Sequence, residues 1–142
     1  MHVYDYCHLL NLCDIPPSPP SHSLSHTLSS CATTRLVGAG ISYVEAGSFV
    51  SPKWVPQMAN SGEVFKELSS FIVANPQVTF AGLTPNMKGL EGAMEASCKE
   101  VAIFAAASES FSKKNINMTI EEAMSKQGEV ATAALASGQN TV

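Results

Sequence analysis

Two hydrophobic rhythms alternate along residues 35–142. Ile41–Ala46 (ISYVEA) sets β-branched and aromatic residues between Gly40 and Gly47, the composition of a strand. Pro52 and Pro56 follow; each fixes φ and removes a backbone donor, which predicts a loop. Asn60 and Glu63 stand at capping-box spacing. Val64, Leu68, Phe71 and Ile72 then recur at i, i+4, i+7 and i+8, the stripe of an amphipathic helix, which Pro76 stops. Val78–Leu83 (VTFAGL) predicts a second strand, Thr84-Pro85-Asn86 a turn, and Leu90–Cys98 a second helix. Glu100–Ala105 (EVAIFA) is nearly all apolar, as in a strand covered on both faces, and a polar loop is expected after it. Thr119 with Glu122 repeats the capping-box spacing before a long Ala-rich helix ending near Gly138. Three strand–loop–helix units in succession predict an α/β fold with right-handed βαβ crossovers and a parallel sheet. Three such units leave two uncovered sheet edges, the first sign that the sheet belongs to something larger.

Upstream the rhythm is lost. Residues 1–34 hold no Lys or Arg, cluster Pro16, Pro17, Pro19 and Pro20, and continue into Ser21, Ser23, Ser25, Ser29 and Ser30. Without Arg the segment does not read as a mitochondrial presequence, and HLLNLC (His8–Cys13) is too short and lacks the cationic start of a secretory signal. Cys7, Cys13, His2 and His8, or the His22/His26 pair, lack the tight paired spacing of structural zinc sites. A Pro/Ser-rich stretch cannot bury enough apolar surface to offset chain entropy. Residues 1–34 are therefore expected to be disordered, with the folded domain running over 35–142.

Composition narrows the function. The 142 residues suit one domain; 8 Lys and Arg against 12 Asp and Glu give a net charge of −4. Nucleic-acid binding, which needs a basic stripe to displace counterions, is excluded, and no apolar run approaches the ~20 residues of a membrane span. Four cysteines do not make a disulfide scaffold.

In parallel α/β folds chemistry gathers beyond the carboxyl ends of the strands. Those positions are Glu45–Ser48, Leu83–Gly89 and Ala105–Asn115. Glu45 stands out, because a carboxylate at the end of an apolar strand is costly without a partner. From spacing alone, a strand-end acid bonded to loop amides accounts for it equally well. Ser48, Asn86, Ser108 and Asn115 also suit turns and helix caps. Lys113-Lys114 reads as a solvated pair, Trp54 as loop packing, and Met58, Met87, Met94, Met118 and Met124 as core or loop filler.

Three longer strings carry a family likeness. VEAGSFVSPKWVPQMA (Val44–Ala59), GLTPNMKGLE (Gly82–Glu91) and VAIFAAASESFSKKNINMTIEEA (Val101–Ala123) closely resemble 3-hydroxy-3-methylglutaryl-CoA lyases. The likeness runs from about Arg35 to the end, and residues 1–34 show none. It implies a (β/α)8 TIM barrel, of which this chain matches units two to four, and a retro-Claisen cleavage of 3-hydroxy-3-methylglutaryl-CoA to acetyl-CoA and acetoacetate. It implies an acyl-CoA substrate, a divalent cation (Mg or Mn) and a mitochondrial setting, with peroxisome or cytoplasm as alternatives. Glu45 falls on the family's active-site glutamate; Ser48, Asn86 and Asn115 fall on substrate-facing positions. The first-strand G-P-R-D-G motif, the His-x-His strand and the Cys loop are not in this sequence, so none of the family's direct cation ligands is retained. The expectation is a chain of the lyase family that is inactive by itself. The alternatives are a non-catalytic barrel fragment that only associates with a complete subunit or its missing pieces, and a related acyl-CoA lyase or synthase of the same superfamily; as partners, a homodimer or association with the missing barrel parts is expected.

Overall fold

A computed structural model describes residues 24–142, with side chains from Thr27 onward. Nine regular elements alternate: α1 (Leu24–Gly38), β1 (Tyr43–Ser48), α2 (Ser61–Ala74), β2 (Thr79–Leu83), α3 (Met87–Glu95), β3 (Glu100–Ala102), α4 (Glu109–Ile116), α5 (Ile120–Ala136) and β4 (Asn140–Thr141). A short 3₁₀ turn, Pro56–Met58, lies between β1 and α2.

The four strands form one parallel sheet in the order β1-β2-β3-β4. Sequential parallel order with helical connections is the arc of a barrel wall. The three expected strands are present, and Asn140–Thr141 adds a fourth at the end of the chain.

Strand periodicity sorts the side chains. Ala46, Phe80 and Val101 point to the helices and join Val64, Phe65, Leu68, Leu90, Ala93, Val130 and Ala134 in one buried cluster, with Val44 buried on the same face. The opposite face carries Tyr43 and Glu45 on β1, Ala81 on β2 and Glu100 on β3. No described helix covers it.

Helix boundaries follow local chemistry in two places. Asn86 caps α3, its side chain accepting from Gly89 N–H at 3.0 Å. Thr119 and Glu122 form the expected capping box of α5, with bonds of 3.2 and 2.8 Å. The box expected from Asn60 and Glu63 does not form: Asn60 makes no side-chain cap bond to α2. The hydroxyl of Ser61 turns back instead and meets Ser48 N–H and Met58 O, each at 2.9 Å.

Three expectations are corrected. The polar stretch after β3 is no simple loop, because Ser108 accepts from Phe111 N–H and opens the eight-residue helix α4. β3 is three residues long rather than six: it pairs with β2 only over Glu100–Ala102, where β2 ends at Leu83. Disorder through Thr34 does not hold for residues 24–34, which are helical. Thr33 is buried, Val37 packs on the core, Thr34 Oγ1 donates to Cys31 O at 2.9 Å, and Ser30 Oγ donates to Glu67 Oε2 at 2.7 Å. The expectation for residues 1–23, including the Cys7/Cys13 and His2/His8 pairs, lies outside the described residues.

Leu68 is fully buried in the helix–sheet cluster. Leu68→Ala is expected to cost about 2–5 kcal/mol, read as a fall in the denaturant midpoint. The α5 cap is titratable. Bonds from Thr119 N–H and hydroxyl, followed by Lys126 and Lys113, hold the Glu122 carboxyl below its ordinary value of 4.5. A depressed folded value means that the contribution is present above the unfolded pKa and is lost as pH falls through the folded one. Protection factors for amide exchange at the α5 N-terminus, taken relative to the intrinsic rate at each pH, should therefore fall on acidification below pH 4.5, and Glu122→Gln should flatten that acid dependence.

Candidate functional site at the carboxyl ends of the strands

Glu45 lies exposed on the helix-free face of the sheet. Its register partners run Glu45–Ala81–Glu100 across three strands, so two carboxylates flank one small residue about 10 Å apart, two strand spacings. Immediately after Glu45 the β1–β2 register shifts, a bulge at Ala46. Bulges bend a strand and re-aim the neighbouring side chains.

Tyr43 shares this face. Burial first, then the carboxylates of Glu100 and Glu45, hold its phenol above the ordinary value of 10.0. It stays a neutral donor at physiological pH. Sequence reasoning passed over Tyr43 and Glu100, although period-2 alternation places Tyr43 on the face of Glu45.

The rim is built by the loops that follow β1 and β2. Ser48 N–H donates to Ser61 Oγ at 2.9 Å, which ties the end of β1 to the start of α2. Ser48 Oγ is itself buried with no partner among the described residues. Phe49 N–H donates to Leu83 O at 2.8 Å. The Thr84–Asn86 turn is held from two sides: Thr84 N–H donates to Ala102 O at 2.8 Å, and Gln127 Nε2 on α5 donates to Pro85 O at 3.0 Å. A cleft of about 220 Å³ opens between these loops, lined by Ser48, Val50, Met58, Asn86 and Lys88 among others.

The structure thus brings Ser48 and Asn86 to one cleft, while Glu45 and Asn115 are not part of its lining. Asn115 is exposed in the last turn of α4 beside Lys113 and Lys114, where cations complement the helix carboxyl end. Asn86 and Ser108 both serve as helix caps.

Two readings of side chains near the rim are overturned. Trp54 is 87 % exposed and packs no loop, and Met87, Met94 and Met124 are exposed rather than core. A larger hollow of about 320 Å³, lined by Val37, Ile41, Phe71 and Asn75, lies at the opposite, amino-terminal end of the strands. That end of a barrel serves stability rather than chemistry. Cys98 sits there too, in the α3–β3 connection rather than in the expected helix.

Among the described residues no three His, Cys, Asp or Glu side chains converge. Magnesium and manganese ask for about six hard donors in near-octahedral geometry. Glu45 and Glu100, separated by Ala81, do not supply them, so the described residues do not form a divalent-cation site.

A TIM-barrel arc with a carboxylate on its inner face and polar loops at its carboxyl rim defines the class, and comparison with known proteins defines the family. The HMGL-like family model matches residues 20–142. The chain is 54 % identical over 99 residues to the Pseudomonas aeruginosa 3-hydroxy-3-isohexenylglutaryl-CoA/hydroxy-methylglutaryl-CoA lyase, covering 70 % of this chain and 32 % of that protein. It is 48 % identical over 130 residues to the mitochondrial hydroxymethylglutaryl-CoA lyase of Bos taurus, covering 92 % of this chain and 36 % of that one. The crystal structure of hydroxymethylglutaryl-CoA lyase from Pseudomonas aeruginosa superposes with a TM-score of 0.71 at 44 % identity, over 88 % of this chain and 39 % of that one. This chain belongs to the HMGL-like family. It spans about a third of the length of the curated relatives it matches. The family match begins upstream of Thr34, in keeping with helix α1, so the likeness is not confined to residues 35–142.

Burial pushes the Cys98 thiol up to about 11, against backbone bonds to Glu100 and Gly82 that favour the thiolate. The neutral, buried thiol is a poor nucleophile. Maleimide at pH 7 should leave the Cys98 peptide unmodified in the native chain while labelling the half-exposed Cys31, as read by mass spectrometry of the digest.

Proposed function

We propose that this chain forms the second to fourth βα units, and the start of the next strand, of a hydroxymethylglutaryl-CoA lyase. The reaction is the retro-Claisen cleavage of 3-hydroxy-3-methylglutaryl-CoA to acetyl-CoA and acetoacetate. The observation that carries the reading is Glu45, an exposed carboxylate on the helix-free face of the arc, at a bulge and beside the rim. The names of the relatives at about half identity support it.

In this reading Glu45 is a catalytic acid–base group at the reacting hydroxyl, a role that asks for a carboxylate within hydrogen-bond reach of the proton it moves. Ser48 and Asn86 meet the polar groups of the acyl chain from either side of the cleft, and Asn115 does so from α4. A bound Mg or Mn would polarise the substrate oxygens; its donors are not assembled by the described residues. The acyl-CoA is the substrate partner. The edges of β1 and β4 are unpaired among the described strands, which favours a homodimer or association with further barrel strands. The mitochondrial setting follows the Bos taurus relative.

The 142 residues alone are expected to be inactive, because Glu45 stands open to water where charge development is poorly stabilised. Placed in the Bos taurus enzyme in exchange for its matching segment, residues 35–142 should sustain acetoacetate release with Mg or Mn. Glu45→Gln in that hybrid should lower kcat by about 10²–10⁴-fold. Acetoacetate from the 142-residue chain by itself overturns its expected inactivity, and undiminished turnover in the Glu45→Gln hybrid overturns the role of Glu45.

A further inference from the structure

Three glycines converge on one residue, Phe49: two on its ring and one on its carbonyl. A Cβ at Gly82 on β2 would lie 2.7 Å from Cε2 of Phe49, one at Gly92 on α3 would lie 3.2 Å from Cδ1, and one at Gly89 would lie 2.7 Å from the Phe49 carbonyl oxygen. Glycine weakens both strands and helices, and inside them it marks a place where other atoms approach closely. Here the approaching residue is the same from three positions on two elements. The ring is also 5.8 Å from that of Phe65 on α2, and the backbone is fixed by the bond from Phe49 N–H to Leu83 O. Phe49 therefore fills a slot bounded by strand β2 and helices α2 and α3.

The slot sits between two residues of the rim. Ser48 immediately precedes Phe49, and its N–H is held by Ser61 at the start of α2. Gly89, against which the Phe49 carbonyl rests, is the residue whose N–H caps onto Asn86 Oδ1. Displacing the ring moves Ser48 directly and the Asn86 cap through Gly89. Both residues line the same cleft.

We propose that Phe49 is the positioning residue of this rim: its ring, wedged between Gly82 and Gly92 while its carbonyl rests on Gly89, sets the relative placement of Ser48 and Asn86. The inference deepens the lyase reading and rests on it for its consequence in turnover, while the wedge itself can be tested without activity.

Gly82→Ala places a methyl where the ring edge lies. In the 142-residue chain it should accelerate amide exchange of Phe49 and Gly89 by about tenfold and leave the Ala123–Val130 amides of α5 unchanged. Phe49→Leu added to Gly82→Ala removes the colliding ring edge and should return both amides toward the parent rate, a rescue that general destabilisation does not give. Should Gly82→Ala fail to fold, Phe49→Ala opens the slot without a clash and should loosen the same two amides. In the Bos taurus hybrid, Gly82→Ala should lower kcat by about tenfold with a smaller change in KM, and the double variant should recover it. Unchanged exchange at Phe49 and Gly89, or no rescue, overturns the wedge. Loosened amides with unchanged kcat/KM overturn its role at the rim. An inactive parent hybrid counts against the lyase reading alone, and the exchange result still decides the wedge.

Discussion

A parallel strand has two faces, and in this chain the helices bury only one of them. Val44, Ala46, Phe80 and Val101 turn toward the helices, and the last three close a buried cluster with Leu68 and Leu90. The alternate residues have no choice about where to go, since side chains on a strand point to opposite faces in turn. Tyr43, Glu45 and Glu100 stand on the other face because their neighbours are needed in the core. The position of the carboxylate on which the functional reading rests is thus a by-product of core packing two atoms' breadth away. A one-residue slip of β1 would bury Glu45 and expose Val44 together, so the apolar face enforces the register that displays the acid.

The rim above that face is held by bonds both within a βα unit and between consecutive units. Ser61 on α2 reaches the end of β1, Gln127 on α5 reaches the turn after β2, and Thr84 donates to Ala102 on β3. Each loop end is pinned by an element that follows it in sequence, which is how a barrel aligns residues from separate units around one space. Buried hydroxyl and amide oxygens of Ser48, Ser112, Gln127 and Gln139 have no partner among the described residues. Two of these, Ser48 and Gln127, lie at the rim loops. Unsatisfied buried acceptors are costly, so the rim is a polar layer whose bonding is incomplete within this arc.

Where a local rule acted by itself, the sequence was a reliable guide. Asn86 and Thr119 cap helices because a short polar side chain before an amide-rich first turn has one good geometry. The stripe Val64–Leu68–Phe71–Ile72 faces the sheet, with Phe65 joining it. The rules failed where two local solutions competed. Asn60 and Ser61 both offer a cap to α2, and the bond to Ser48 across thirteen residues drew in Ser61. The Ser/Thr-rich stretch 24–34 has hydroxyls that compete with helix formation locally; burial of Thr33 and packing of Val37 decide it in favour of α1. Trp54, between two prolines, had every sign of a packing residue and found no surface to pack on.

The chain's own chemistry determined the strand–helix alternation, the helix caps, the parity that displays Glu45, and the strings VEAGSFVSPKWVPQMA and SFSKKNIN that carry the family likeness. These are properties of periods, spacings and short-range hydrogen bonds, which neighbouring residues settle among themselves. Tertiary structure alone decided that Ser48 and Asn86 share a cleft from which Glu45 and Asn115 are absent, that Tyr43 and Glu100 stand on the face of Glu45, and that Phe49 is gripped by glycines 33 to 43 residues away. Such proximities depend on how sheet and helices stack in space, and a pattern of period two or 3.6 carries no distance between one unit and the next.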